Sequence, residues 1–502
     1  MSNSTSTLAS LDLSTEEYFL PYREKVIGHN ETITTPYGRM PLVYADWTAS
    51  GRLYHPIESI LLEKVGPFVA NTHTETTTTG TLMTNAYHDA QRVIKRHVNA
   101  GPGDLLIAEG SGMTGVVNKF QRMLGLRVPE RFSDRIVIEE DERPVVFLSH
   151  MEHHSNHTSW LETIADVESI MPDAEGLLDY DYILELLAKY RTRKRKIASI
   201  TACSNVTGIE TNYHRVAKIM HQHGGLCFVD FACSAPYVSI DMHPEDDEAR
   251  LDAIYFSPHK FLGGPGAPGI LVFDKQLYTN KIPDEPGGGT VVWTNPWGGH
   301  KYLDDIEARE DGGTPPFLQT IKAALAVKLK EDMGVDRMME REHELLSQLL
   351  PAMKSIEGLQ LLAAHCEERL GVISFYIEHL HFNLVVRLLN DKFGIQTRGG
   401  CSCAGTYGHY LLNISQETSK SITDQIDEGG LSEKPGWVRL SIHPIMTNEE
   451  MDYIITALKE VTKNGQTWSE DYVYDFKRNE FFHRSESGDR INHIDEWYDG
   501  LS

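Results

Sequence analysis

From Val43 to about Asp311, short unbroken apolar runs alternate with stretches in which apolar residues recur at helical spacing. The runs Arg143–His150, Lys196–Ala202 and Leu226–Asp230 are short, continuous and rich in β-branched or aromatic residues. Strands covered on both faces read this way, because the helices of a parallel sheet leave neither face to water. Between the runs, Asp181–Lys189 and Tyr213–His223 carry amphipathic helical patterns. The alternation predicts an α/β domain with a mainly parallel sheet. Ligands of such sheets bind at the carboxyl ends of the strands, where the loops gather.

After Gly313-Thr-Pro-Pro316 the pattern predicts one long helical stretch, Phe317 to Lys354, leading into a smaller α+β region. At 502 residues the chain exceeds what a single core usually supports. The expected organisation is an N-terminal arm (1–40), a large domain (41–312), a small domain (313–463) and an aromatic-rich extension (464–502). The extension holds Trp468, Tyr472, Tyr474, Phe481, Phe482 and Trp497, which predicts docking on the body or on a partner subunit.

Hydrophobic residues make up 40% and charged residues 24%, as in ordinary globular proteins. A net charge of −25 argues against nucleic acid and anionic membranes as partners. The basic run Arg191, Arg193, Lys194, Arg195, Lys196 reads as a solvated loop or helix end. No apolar run is long enough to span a bilayer, and Met1 to Leu11 lacks the basic start and apolar stretch of a secretory signal. A cytoplasmic protein is expected. The six cysteines are too few and too scattered for a disulfide framework, and three sit in apolar runs as small core residues.

Candidate chemistry gathers at strand ends. In Asp252–Gly266 a short strand ends in Ser257-Pro-His-Lys260 and a glycine-rich turn follows. A lysine partly removed from water there has a lowered pKa and a nucleophilic amine. Ser257 and His259 could donate to a phosphate; taken alone, a lysine at a strand end is more often a surface residue. Asp230 ends an apolar strand, where a carboxylate is costly without a cation such as a protonated pyridine nitrogen. Its plainer reading is a loop or N-cap aspartate. Leu105–Asn118 is a strand, a glycine-rich turn and a helix start, so backbone amides and Thr114 make an anion site. His154 follows another strand and offers a flat ring, and Asn205 in Ser204–Gly208 offers a donor. Each feature alone is weak. Their succession at strand ends points to pyridoxal 5′-phosphate held as a Schiff base on Lys260.

These segments resemble the fold-type I, class V aminotransferase superfamily, most of all its type II cysteine desulfurase and selenocysteine lyase branch. The resemblance rests on Gly112-Met-Thr114, Glu152-His-His-Ser-Asn156, Ser204-Asn-Val-Thr-Gly208, Asp230-Phe-Ala-Cys233 and Ser257-Pro-His-Lys260. It continues in Gly287-Gly-Gly-Thr290, Gly312-Gly-Thr-Pro315, Arg398-Gly-Gly-Cys-Ser-Cys403 and Val438-Arg-Leu-Ser441, and spans roughly Tyr44 to Leu458. It implies that Lys260 binds the cofactor covalently and moves protons, that Asp230 pairs with the pyridine nitrogen and that His154 stacks on the ring. Asn205 then lies near the phenolic oxygen, and Gly112, Met113, Thr114, Ser257 and His259 hold the phosphate. The resemblance further implies a homodimer in which Thr290 reaches the partner's phosphate. Arg439, helped by Arg398, would bind the substrate carboxylate, Cys403 would be the sulfur-accepting nucleophile, and a sulfur-acceptor protein would be a partner.

The chain departs from the family pattern in places. Cys233 stands where the family has glutamine, Met113 replaces a threonine, Asp311 replaces a glutamate, and Cys401 and Ser402 replace histidines. Apart from the resemblance, Cys401-Ser-Cys403 reads as a buried pair, a disulfide or metal ligands. The expected activity is therefore a cysteine desulfurase or related C–S lyase. An aminotransferase, epimerase or other β-eliminating lyase on a different amino acid is the alternative, and a non-catalytic scaffold with a retained fold is the second.

Overall fold

The computed structural model describes residues 13–72, 74–432, 434–485 and 497–499. The reading of Met1–Leu11 as a non-targeting segment therefore falls outside the described residues.

The apolar runs become the centre of a seven-stranded sheet. Its strands are β1 (Asp104–Glu109), β2 (Val145–Ser149), β3 (Asp166–Ile170), β4 (Lys196–Thr201), β5 (Leu226–Asp230), β6 (Ala253–Phe256) and β7 (Gly269–Asp274). Their order across the sheet is β3-β2-β4-β5-β6-β7-β1. Pairing is parallel from β3 to β6, while β7 runs antiparallel to both β6 and β1. The carboxyl ends of β1, β4, β5 and β6 therefore open on one edge. Every residue of β4 is buried, in keeping with the unbroken apolar run.

Around the sheet lie α1 (Thr78–His97), α2 (Met113–Met123), α3 (His154–Leu161), α4 (Tyr180–Lys189) and α5 (Tyr213–Gln222). The helical stretch expected from 317 to 354 is two helices, α6 (Phe317–Met333) and α7 (Val335–Lys354). Gly334 separates them with φ of 75°, a left-handed backbone that ends one helix and redirects the chain.

The smaller sheet contains β8 (Leu359–Leu361), β9 (Val372–Ile377), β10 (Arg398–Gly400) and β11 (Trp437–Ser441), antiparallel throughout in the order β8-β9-β11-β10. It is joined by α8 (Phe382–Phe393), α9 (Gly405–Leu411) and α10 (Asn448–Trp468). The segment near the start of the chain also contributes here. Val43–Tyr44 pairs in parallel with Ile395–Gln396, and Asp46 bridges to Ser441. In the extension, Tyr472–Asp475 and Glu480–His483 form a hairpin, and the Tyr472 hydroxyl donates to Asp391 Oδ2 of α8 at 2.9 Å. That part docks on the body, whereas Trp497 is exposed.

The basic run is not wholly solvated, as its charge pattern had suggested. The Arg193 side chain is 6% exposed and ion-pairs with Asp166 at 2.7 Å and Glu140 at 3.0 Å. Lys196 is also buried, donating to the Arg193 carbonyl at 2.9 Å. A guanidinium can be buried this way because partners on two sides replace its water.

Candidate active site

Loops at the carboxyl edge of the large sheet meet β10 and β11 of the small sheet around a cavity of about 410 Å3. One end of its lining is the start of α2. Gly110 (φ 59°) turns the chain out of β1, and the Met113 amide donates to Ser257 Oγ at 2.9 Å. The Thr114 and Ser155 hydroxyls lie 2.6 Å apart. A Cβ on Gly112 would come within 3.3 Å of Ser257 Oγ and 3.5 Å of His259 Nε2, so glycine leaves a cradle between amides, hydroxyls and imidazole. Burial, and the charge of Lys260 after it, lower the His259 pKa to about 4.

Lys260 closes the short turn Pro258–Lys260 after β6 and is half-buried in the same lining. Burial pushes its amine below the ordinary lysine range, opposed by Cys233 and Asp230. Asp230, at the end of β5, is buried and accepts from the Ala232 amide at 2.7 Å. Burial raises its carboxyl to about 6.

The two histidines after β2 face different ways. His153, not His154, lines the cavity. Its Nδ1 accepts from the Ser155 amide at 3.1 Å, and burial lowers its pKa to about 3. The ring is therefore neutral, with its proton on Nε2. His154, the residue expected over a cofactor ring, instead secures the cysteine loop: its amide donates to the Cys403 carbonyl at 2.7 Å, and its Nε2 accepts from the Gly405 amide at 3.0 Å. The reason is local. His153 caps α3, which turns its ring inward, and the next residue is rotated off that face by the first helical turn.

Asn205 donates through Nδ2 to the Ser402 carbonyl at 2.7 Å, while its Oδ1 is buried without a partner. Arg439 on β11 donates to the Asn205 carbonyl at 3.2 Å and pairs with Asp46 at 2.7 Å. Arg398 reaches the other Asp46 oxygen at 3.1 Å. Asp46 thus lies between both guanidinium groups, a connection that reading along the chain did not reveal. Ser402 (φ 49°) and Cys403 (φ 56°) are consecutive left-handed residues, and Cys403 is exposed in the cavity wall. Cys401 faces a neighbouring cavity beside α8. Thr290 lies outside the cavity lining, its hydroxyl donating to the Gly287 carbonyl at 2.7 Å. Cys203 and Cys233, both buried, also line the cavity.

This edge-of-sheet site, divided between a large and a small sheet, is the architecture of fold-type I enzymes. The sequence profile of the class-V aminotransferases matches residues 43–454, and the chain belongs to that family of pyridoxal-phosphate enzymes. A probable cysteine desulfurase of Staphylococcus aureus is 28% identical over 423 residues, covering 84% of this chain and 92% of the relative. One from Halalkalibacterium halodurans is 29% identical over 369 residues, covering 72% and 84%. Among solved structures, the apo cysteine desulfurase of Thermococcus onnurineus superposes with a TM-score of 0.71 at 21% identity, covering 88% of this chain and 98% of the other. The Escherichia coli cysteine desulfurase CsdA gives 0.66 at 20% identity, with 84% and 94% covered. The architecture is shared at these low identities.

The residues present suit pyridoxal phosphate. The Gly112 cradle has the donors for a phosphate, the buried carboxyl of Asp230 is held protonated to about pH 6 where a ring-nitrogen cation would offset its burial, and Asn205 Oδ1 is buried without a donor.

Proposed function

We propose that the chain is a cysteine desulfurase that transfers the sulfur of L-cysteine to Cys403 and releases alanine. The observation that carries this reading is Cys403 on a left-handed turn in the wall that also holds Lys260 and Arg439. Pyridoxal phosphate, when bound, supplies an electron-withdrawing ring that takes up the charge left on the substrate α-carbon.

The amides at the start of α2, with Thr114, Ser257 and His259, bind the phosphate. Asp230 would pair as an anion with the protonated ring nitrogen, which would offset the cost of its burial. His153, whose Nδ1 accepts from the Ser155 amide and whose proton is on Nε2, would cover the ring of the bound group. The Lys260 amine, lowered by burial, both attaches the cofactor and carries the α-proton of the substrate. Arg439 and Arg398 bind the substrate carboxylate, which takes over from Asp46 on at least one guanidinium. The Cys403 thiolate then attacks the substrate sulfur. An S–S bond forms, the substrate C–S bond breaks with its electrons going to carbon, and protonation there gives the methyl group of alanine.

The persulfide is passed to a sulfur-acceptor protein at the exposed Cys403. A homodimer fits the exposed Val292, Trp293 and Trp297 that follow Thr290. No described helix is long and apolar enough to cross a membrane, and a cytoplasmic location is part of the same proposal.

The test is a product assay on the protein loaded with pyridoxal phosphate and given L-cysteine, with alanine, pyruvate and sulfide measured together. Alanine equal to the sulfur released, and lost in Cys403→Ala, is expected. Pyruvate with sulfide would mean β-elimination, and no turnover would move the substrate to another amino acid.

A further inference from the structure

Two cysteines of the cavity have no part in that chemistry. Thr201 of β4 and Asp230 of β5 are partners in the parallel register. Two residues beyond one and three beyond the other, Cys203 and Cys233 therefore leave neighbouring strand ends. They pack together with Leu370 and Val372. Both thiols reach the same acceptor, the Ser204 carbonyl, at 3.6 Å from Cys203 Sγ and 3.8 Å from Cys233 Sγ.

The surroundings make the two thiols unequal. The neighbouring Cys203 thiol lowers the Cys233 pKa, burial opposes it, and the cations Lys260 and Arg439 support it. Burial pushes the Cys203 thiol well up. Cys233 is 5% exposed and Cys203 fully buried, so a reagent entering the cavity meets Cys233 first, and Cys203 sits behind it as the resolving thiol.

We propose that Cys203 and Cys233 are a redox-active dithiol in the cavity wall, converted by peroxide to an intramolecular disulfide. The Cys233 thiolate attacks one peroxide oxygen and the O–O bond breaks, leaving a sulfenic acid on Cys233 and releasing water after proton uptake. Cys203 then attacks the Cys233 sulfur, the S–S bond forms, the S–OH bond breaks, and a second water leaves. The two thiols lose the two electrons that peroxide gains. Neither step uses the proposed desulfuration.

The test exposes the full-length holoprotein to hydrogen peroxide, alkylates remaining thiols in denaturant, and maps peptides without reductant. The expected product is a Cys203–Cys233 linked peptide, with both thiols lost to alkylation and restored by dithiothreitol. In Cys203→Ala, Cys233 should proceed to sulfinic acid. Cys403→Ala should form the same link, separating the pair from the exposed loop. Recovery of both cysteines alkylated at doses that oxidise Cys403 would overturn the proposal. So would a Cys233–Cys403 link, or equal oxidation of the buried Cys227. A linked peptide in a protein that makes no alanine would support the dithiol and defeat the desulfurase reading.

Discussion

Asp230 carries a cost in the cofactor-free protein that can be measured by titration. Folded, it keeps its proton to about pH 6, against a reference value of 3.8. Between these values the folded state binds more protons than the unfolded one, so stability falls as pH rises through the window and stays low above it. The difference corresponds to about 3 kcal/mol. Asp230→Asn should therefore stabilise the cofactor-free protein at pH 8, and its advantage should vanish below pH 4 in urea unfolding series. Lys260 makes a second prediction: borohydride treatment should fix pyridoxal phosphate to the wild-type chain, seen by mass, and not to Lys260→Ala. At this scale residue types were legible and directions were not. Asp230, Lys260, Asn205 and Arg439 could be read from strand ends and family motifs, and all line one cavity. Which of two adjacent histidines faces that cavity depends on the cap of α3, and nothing in the pair His153-His154 itself signals it.

Among the elements, the loop between β4 and α5 is held by close backbone packing. Gly208 has φ of 73°, and a Cβ there would lie 2.3 Å from the Leu370 carbonyl oxygen beside β9. Gly208→Ala should cost about 2–4 kcal/mol, read by thermal unfolding, and should displace Asn205 and raise the substrate KM. Below the same edge, Glu152 Oε1 accepts from the Thr201 amide at 2.7 Å and the Ser149 hydroxyl at 2.5 Å, and Oε2 accepts from Asn156 at 2.7 Å. Glu152→Gln sets an amide against donors on one side and should cost about 2 kcal/mol in the same measurement. Strands were readable because a buried parallel strand shows itself in five or six consecutive residues. The break at Gly334 was not, since apolar spacing continues on both sides and a single glycine within a helical pattern is ordinarily tolerated.

Across the whole molecule, the extension packs on α8 and lines the neighbouring cavity that Cys401 faces. Tyr472→Phe removes the buried hydrogen bond to Asp391 and should lower stability by about 1–2 kcal/mol, with truncation before Tyr472 costing more. Both are read from the thermal midpoint. The aromatic content announced docking but not its place, because the partner surface is assembled from a helix some eighty residues earlier in the chain. The pairing of Asp46 with Arg439 joins residues 393 positions apart and is illegible for the same reason. That span also sets a schedule for synthesis. A ribosome adding about 5–20 residues per second needs roughly 20 to 80 s to deliver Arg439 after Asp46. For that interval the nascent chain holds the carboxylate, and later the lysine and its strand ends, without the small sheet that completes the cavity. The pocket is thus among the last features of the newborn protein to close.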